Sequence, residues 1–92
     1  MITCEGRCCR IEGAVTVDSV GELLRELQPQ LESGIDTLDF SGVDSADSAA
    51  LAFIFSATRQ AKQAGHGFVC TGLPASFTTL AELYGVSALL PT

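Results

Sequence analysis

Residues Ala49-Ala50-Leu51-Ala52-Phe53-Ile54-Phe55 form an unbroken apolar run, and the same helical segment ends polar at Arg59, Gln60, Lys62 and Gln63. A helix that is apolar all the way round has to be covered on more than one side. The run is also far too short to span a bilayer. A chain of 92 residues makes one domain, here residues 1–92, with one sheet to offer. The rest of the helix surface is therefore left either to a neighbouring helix or to a partner.

The segments around that helix give the element order. Ile2 to Glu5 and Cys8 to Val17 are short and alternating, separated by Gly6-Arg7, which is the grammar of a β-hairpin. Asp18 or Ser19 then caps a helix, and Glu22 completes a capping box with Ser19. Val20, Leu23, Leu24, Leu27 and Leu31 follow at helical spacing, with Pro29 expected to kink or shorten the helix before Ser33-Gly34 ends it. Ile35 to Phe40 reads as a strand and Ser41 to Ala46 as an acidic, hydroxylated loop. Asp47 caps the apolar helix, which runs from about Ser48 to Ala64 and stops at Gly65. Phe68 to Thr71 is a buried strand, and Pro74-Ala75-Ser76 opens a third helix with Phe77, Leu80, Ala81 and Tyr84 on one face. Val86 to Leu90 is expected to add a final short strand. The order β-β-α-β-α-β-α-(β) implies an α/β domain in which helices pack on a mixed sheet with an N-terminal hairpin.

Composition narrows the function classes. Hydrophobic residues at 47% against charged residues at 17% exclude intrinsic disorder. Eleven acidic against five basic side chains give a net charge of −6, which disfavours binding to a phosphate backbone. Met1-Ile2-Thr3-Cys4-Glu5 has no basic start followed by an apolar stretch, so no signal peptide is expected and the chain reads as cytoplasmic. In a reducing compartment Cys4, Cys8, Cys9 and Cys70 are expected to be free thiols that pack as small hydrophobes. The spacings Cys4-x3-Cys8 and His66-x3-Cys70 allow a zinc set in principle, but they lie in strand-like segments, so no metal is expected. His66, the single histidine, sits in a turn composition and reads as a solvated loop residue, which leaves Ser/His/Asp and Cys/His catalysis without a base. No Gly-x-x-x-x-Gly-Lys phosphate loop occurs, no cofactor is expected, and the chain reads as a non-enzyme.

Ser48 is the residue with the most chemical promise. It falls in the first turn of the apolar helix, beside free backbone N–H groups and the positive end of the dipole. A phosphate there would be well stabilised, although an ordinary capping serine fits the same position. Asp36, Asp39, Asp44 and Asp47 are nearby carboxylates that could suggest Mg²⁺, but Asp39 and Asp44 are expected to flank different ends of the loop, an arrangement poorly suited to it.

Leu38-Asp39-Phe40-Ser41-Gly42-Val43 followed by Asp47-Ser48-Ala49-Ala50-Leu51 resembles the signature of STAS domains, and the element order agrees with that family over the whole chain. The family includes anti-sigma factor antagonists and the regulatory tails of sulfate transporters. Thr79-Leu80-Ala81-Glu82-Leu83-Tyr84-Gly85-Val86, with Leu89-Leu90-Pro91, is similar to the end of the STAS subunits of phospholipid-transport ABC transporters. Ala50 stands where many members carry Gly, and Ser48 where the transporter subunits often carry Thr. The resemblance implies a STAS-like fold and a non-catalytic regulatory subunit that binds an ATPase subunit at the inner membrane. It places partner contacts at Asp44, Ser45, Asp47, Ser48, Ala49 and Ala52. The alternative it implies is an anti-sigma factor antagonist switched by phosphorylation at Ser48.

Overall fold

The computed structural model describes residues 1–92. Strands β1 (Ile2–Glu5), β2 (Cys8–Val15), β3 (Thr37–Ala46) and β4 (Val69–Thr71) alternate with helices α1 (Val20–Glu32), α2 (Ala49–Gln63) and α3 (Ala75–Leu83). The sheet runs β1-β2-β3-β4 in space. The hairpin pair β1–β2 is antiparallel, while β2–β3 and β3–β4 are parallel and are joined through α1 and α2. This is the mixed sheet implied by the element order.

One face of the sheet carries the core. Cys9, Ile11, Val15, Leu38, Phe40 and Cys70 point into it and meet Leu23, Leu27 and Leu31 of α1 and Phe53 and Ile54 of α2. Phe40 joins two helices to the sheet, with ring centroids 6.2 Å from Phe53 and 5.5 Å from Phe77. Such aromatic pairs add about 0.5–1.5 kcal/mol each beyond their burial. No polar or charged residue is buried in the core. The opposite face stays open and bears Thr3, Glu5, Cys8, Arg10, Glu12 and Asp39, the alternating polar partners of the core residues.

The second face of α2 is largely covered from within. Both α1 and α3 pack against it, and Ala50, Leu51, Phe53, Ile54, Ala57 and Ala61 are buried. What remains open at its start is the exposed Ala52, with Phe55 half-buried.

Several elements differ from their sequence reading. β3 does not end at Phe40 but continues through the stretch read as a loop, so Asp44 and Ser45 are strand residues. The reason is bulging: β3 advances from Asp39 to Gly42 while β2 advances from Arg10 to Glu12, and from Val43 to Ser45 while β2 advances from Gly13 to Ala14. Each extra residue resets the side-chain alternation, so the period-two signal vanishes while the pairing persists. Pro29 lies inside α1, which continues to Glu32. No capping box forms, because the Ser19 hydroxyl accepts from the Thr16 N–H and donates to the Ala14 carbonyl. Tyr84 is exposed, off the core face of α3. The expected final strand is a 3-10 turn, Ser87–Leu89, after which Leu90 tucks into the core and the Pro91 carbonyl accepts the Cys70 N–H.

The cysteine reading is corrected as well. Cys4 and Cys9 form a disulfide, and only Cys8 and Cys70 are free. Glu5 pairs with Cys8 across the two-residue turn, which sets Cys4 directly opposite Cys9. His66 is half-buried rather than solvated, and its Nε2 is hydrogen-bonded to the Leu31 carbonyl at the end of α1.

Candidate partner-docking site

The parallel strands β2 and β3 end side by side, with Val15 paired to Ala46. Each then turns into a helix, so the starts of α1 and α2 are neighbours at this edge of the domain. Ser48 is exposed at the N-cap of α2 in helical conformation, with φ −62° and ψ −19°. Its hydroxyl makes no capping hydrogen bond. Ala52 is exposed one turn further on, which puts it on the same face of α2 as Ser48. Ala49 lies half-buried between Ser48 and the core residue Ala50.

The cap of α2 is supplied by Asp47, as the sequence suggests. Its Oδ1 accepts the Ala49 N–H at 2.8 Å, and its Oδ2 accepts the Val17 N–H at 3.1 Å. One half-buried carboxylate thus serves two chain segments, and both its oxygens are occupied. Asp44 and Ser45 are exposed at the end of β3, Ser45 opposite the exposed Ala14. The structure therefore gathers Ser48, Ala49 and Ala52 at one helix start, sets Asp44 and Ser45 on the strand leading to it, and turns Asp47 inward.

Val17 is the feature that sequence reasoning missed. Read as the end of a strand, it stands beyond β2 with 72% of its surface exposed, next to Asp47. Its apolar side chain directly before Asp18 and Ser19 was the available signal.

The four carboxylates near this region do not converge. Asp36 pairs with Arg7 at 3.1 Å, and Asp39 accepts the Ser41 N–H at 2.9 Å. That hydrogen bond, the Ser41 side chain and the charge of Arg10 hold the Asp39 carboxyl below its ordinary value. The zinc spacing is dispersed too, with Cys4 in the disulfide and His66 on the end of α1. No group of three or more His, Cys, Asp or Glu residues is placed to hold a metal ion.

An exposed, unbonded hydroxyl at the start of a helix is suited to contact or modification, with the helix terminus ready to receive negative charge. The family model described as "Mlab, STAS domain" matches residues 5–91. The chain belongs to the STAS domain family. Such domains are generally non-catalytic and act in protein–protein interactions. Among solved structures, the anti-sigma factor antagonist SpoIIAA in its unphosphorylated form is similar, with a TM-score of 0.72 at 11% identity. That match covers 98% of this chain and 84% of SpoIIAA, and it shows the shared fold. No curated protein matches the sequence.

Proposed function

We propose that this STAS domain is a non-catalytic subunit that docks on the ATPase subunit of an Mla-type phospholipid ABC transporter and supports its assembly and activity. The observation that carries this reading is the match of an MlaB-described family model to residues 5–91. The exposed small residues at the start of α2 fit it, since Ser48 and Ala52 let another backbone approach closely. In this role the protein is cytoplasmic and peripheral to the inner membrane, and it contributes to outer-membrane lipid asymmetry. In this reading the domain reaches the bilayer through the transporter; no helix is long and apolar enough to cross a membrane.

The test is co-expression with the cognate ATPase, which should give a stable complex on size exclusion and no ATP hydrolysis by the STAS domain alone. A second reading is a phospho-switched antagonist of an anti-sigma factor, favoured by the unbonded Ser48 hydroxyl. Retention of an anti-sigma kinase without the ATPase would select it.

A further inference from the structure

We infer that the Cys4–Cys9 disulfide is a redox latch on strand β1. An external dithiol opens it by attack at Cys4, and the freed strand then detaches locally while the rest of the domain stays folded.

Strand β1 has little else to hold it. Ile2 and Cys4 are half-buried against the core and Thr3 and Glu5 are exposed, so no side chain of the strand is completely buried. One backbone pair extends the hairpin ladder at its open end. There the Glu12 N–H donates to the Met1 carbonyl at 2.8 Å, and the Met1 amine donates to the Glu12 carbonyl at 3.1 Å. Segments with few buried apolar groups open at a lower free energy than the core. A four-residue strand at the sheet edge is such a segment once its cross-link is gone.

The two sulfurs differ in access, and that difference sets the chemistry. Cys9 is completely buried, whereas Cys4 is half-buried. A thiolate of the dithiol attacks Cys4 Sγ, the S–S bond breaks, and Cys9 leaves as a thiolate that takes up a proton. The second thiolate of the reductant then attacks the reductant's own sulfur in the mixed disulfide. Cys4 is released as a thiol and the dithiol ends as its disulfide, having given two electrons. A thiolate expelled among apolar side chains is a poor leaving group, so the reaction follows the opening of β1.

No other thiol of the chain replaces either partner. Cys8 adjoins Cys9 on β2 and points to the open sheet face. Cys70 shares the core face, but Leu38 stands between it and Cys9 in the cross-strand register. Two strand spacings, about 9–10 Å, separate their backbones, beyond the ~7 Å that a disulfide spans. Reoxidation therefore restores Cys4–Cys9 alone.

The experiment follows amide hydrogen exchange and native thiol labelling in the wild-type protein, before and after reduction with dithiothreitol, and in Cys4→Ser and Cys8→Ser. The Glu12 amide reports on β1, and the Ala57 amide in the middle of α2 reports on the core. Reduction and Cys4→Ser should each raise the ratio of Glu12 to Ala57 exchange roughly tenfold or more. In the reduced folded protein Cys9 should become open to alkylation while Cys70 stays unlabelled. Cys8→Ser should match the wild-type protein in both redox states. Equal acceleration at Glu12 and Ala57 would make the bond a support of the whole domain and overturns the latch. Protection of Cys9 equal to that of Cys70 after reduction overturns it too. So does a cross-link to Cys8 or Cys70 in peptide maps of the reoxidised protein.

Discussion

Cys4 is disulfide-bonded to Cys9, its direct cross-strand partner in the β1–β2 hairpin. The bond ties an edge strand of only four residues to the body of the sheet, and Cys9 is completely buried beneath it. With a sequence separation of 5, the closed loop is short. The chain-entropy argument then gives about 2 kcal/mol of stabilisation. Reduction by a dithiol should lower the melting temperature by roughly 10 °C. The check is a melt with and without reductant, and coincident curves would show that the bond contributes nothing.

The two remaining thiols should differ sharply. Cys8 is half-buried on the open sheet face, whereas Cys70 is buried in the core. Burial pushes the Cys70 thiol up to about 12. Since the thiolate is the reacting form, Cys70 should resist alkylation in the folded protein while Cys8 is labelled. Unfolding without reductant should expose both, and reduction should raise the total to four. Mass spectrometry of the labelled protein counts them. Two native labels would mean that Cys70 is accessible. Because its folded value is raised, stability should also fall as pH rises past about 9 and keep falling until the folded thiol ionises.

Most elements were legible in the sequence because periodicity and turn residues agree locally. Leu23, Leu27 and Leu31 mark the buried stripe of α1, and the hairpin at Gly6-Arg7 stands where its composition put it. The two-residue turn sets Cys4 opposite Cys9, a register signal for the disulfide that the expectation of four free thiols did not use. The extension of β3 through Ala46 was not legible, because two bulges erase the alternation that identifies a strand. The candidate site was half legible. Ser48 and the cap by Asp47 follow from local sequence, but the bond from Val17 to Asp47 joins residues 30 apart and depends on the parallel pairing of β2 with β3.

Asp39 should leave a mark in the acid limb of the stability profile. Hydrogen bonds from Ser41 and the nearby Arg10 hold its folded value below the ordinary 3.8. A depressed carboxyl contributes stability that is present above the unfolded value and is lost as pH falls through the folded one. Denaturant melts of Asp39→Asn should therefore decline less steeply than wild type between about pH 5 and about pH 2. The difference should be small, as a solvent-screened group dictates. Parallel profiles would show that Asp39 is not the titrating group.

Gly72 closes β4 against the same carboxylate. It has φ +64°, and a methyl group there would lie 2.9 Å from Asp39 Oδ1 and from the Ser41 backbone nitrogen. Gly6 has a similar φ of +62° with nothing near its missing Cβ. Gly72→Ala should therefore lose the backbone term shared with Gly6→Ala and a steric term besides. Left-handed strain alone is worth about 1–3 kcal/mol. The paired melts should place Gly72→Ala clearly below Gly6→Ala, and equal melting temperatures would remove the steric argument.

Ser48→Glu separates a contact surface from a structural cap. The hydroxyl makes no capping bond and the side chain is exposed, so the fold loses nothing with it. A carboxylate near a helix N-terminus is favourable by roughly 0.3–1 kcal/mol, so the isolated variant should melt at or slightly above the wild-type temperature. At an interface the same charge needs desolvation and a partner, and binding to the ATPase should fall several-fold or more unless a base stands opposite. Leu51→Asp supplies the contrast: Leu51 is 5% exposed, and a carboxylate there should unfold the domain. The measurement pairs thermal melts of each variant with its binding to the ATPase. Full binding by Ser48→Glu would move the contact surface away from the start of α2, and a collapsed melt would make Ser48 a structural residue after all.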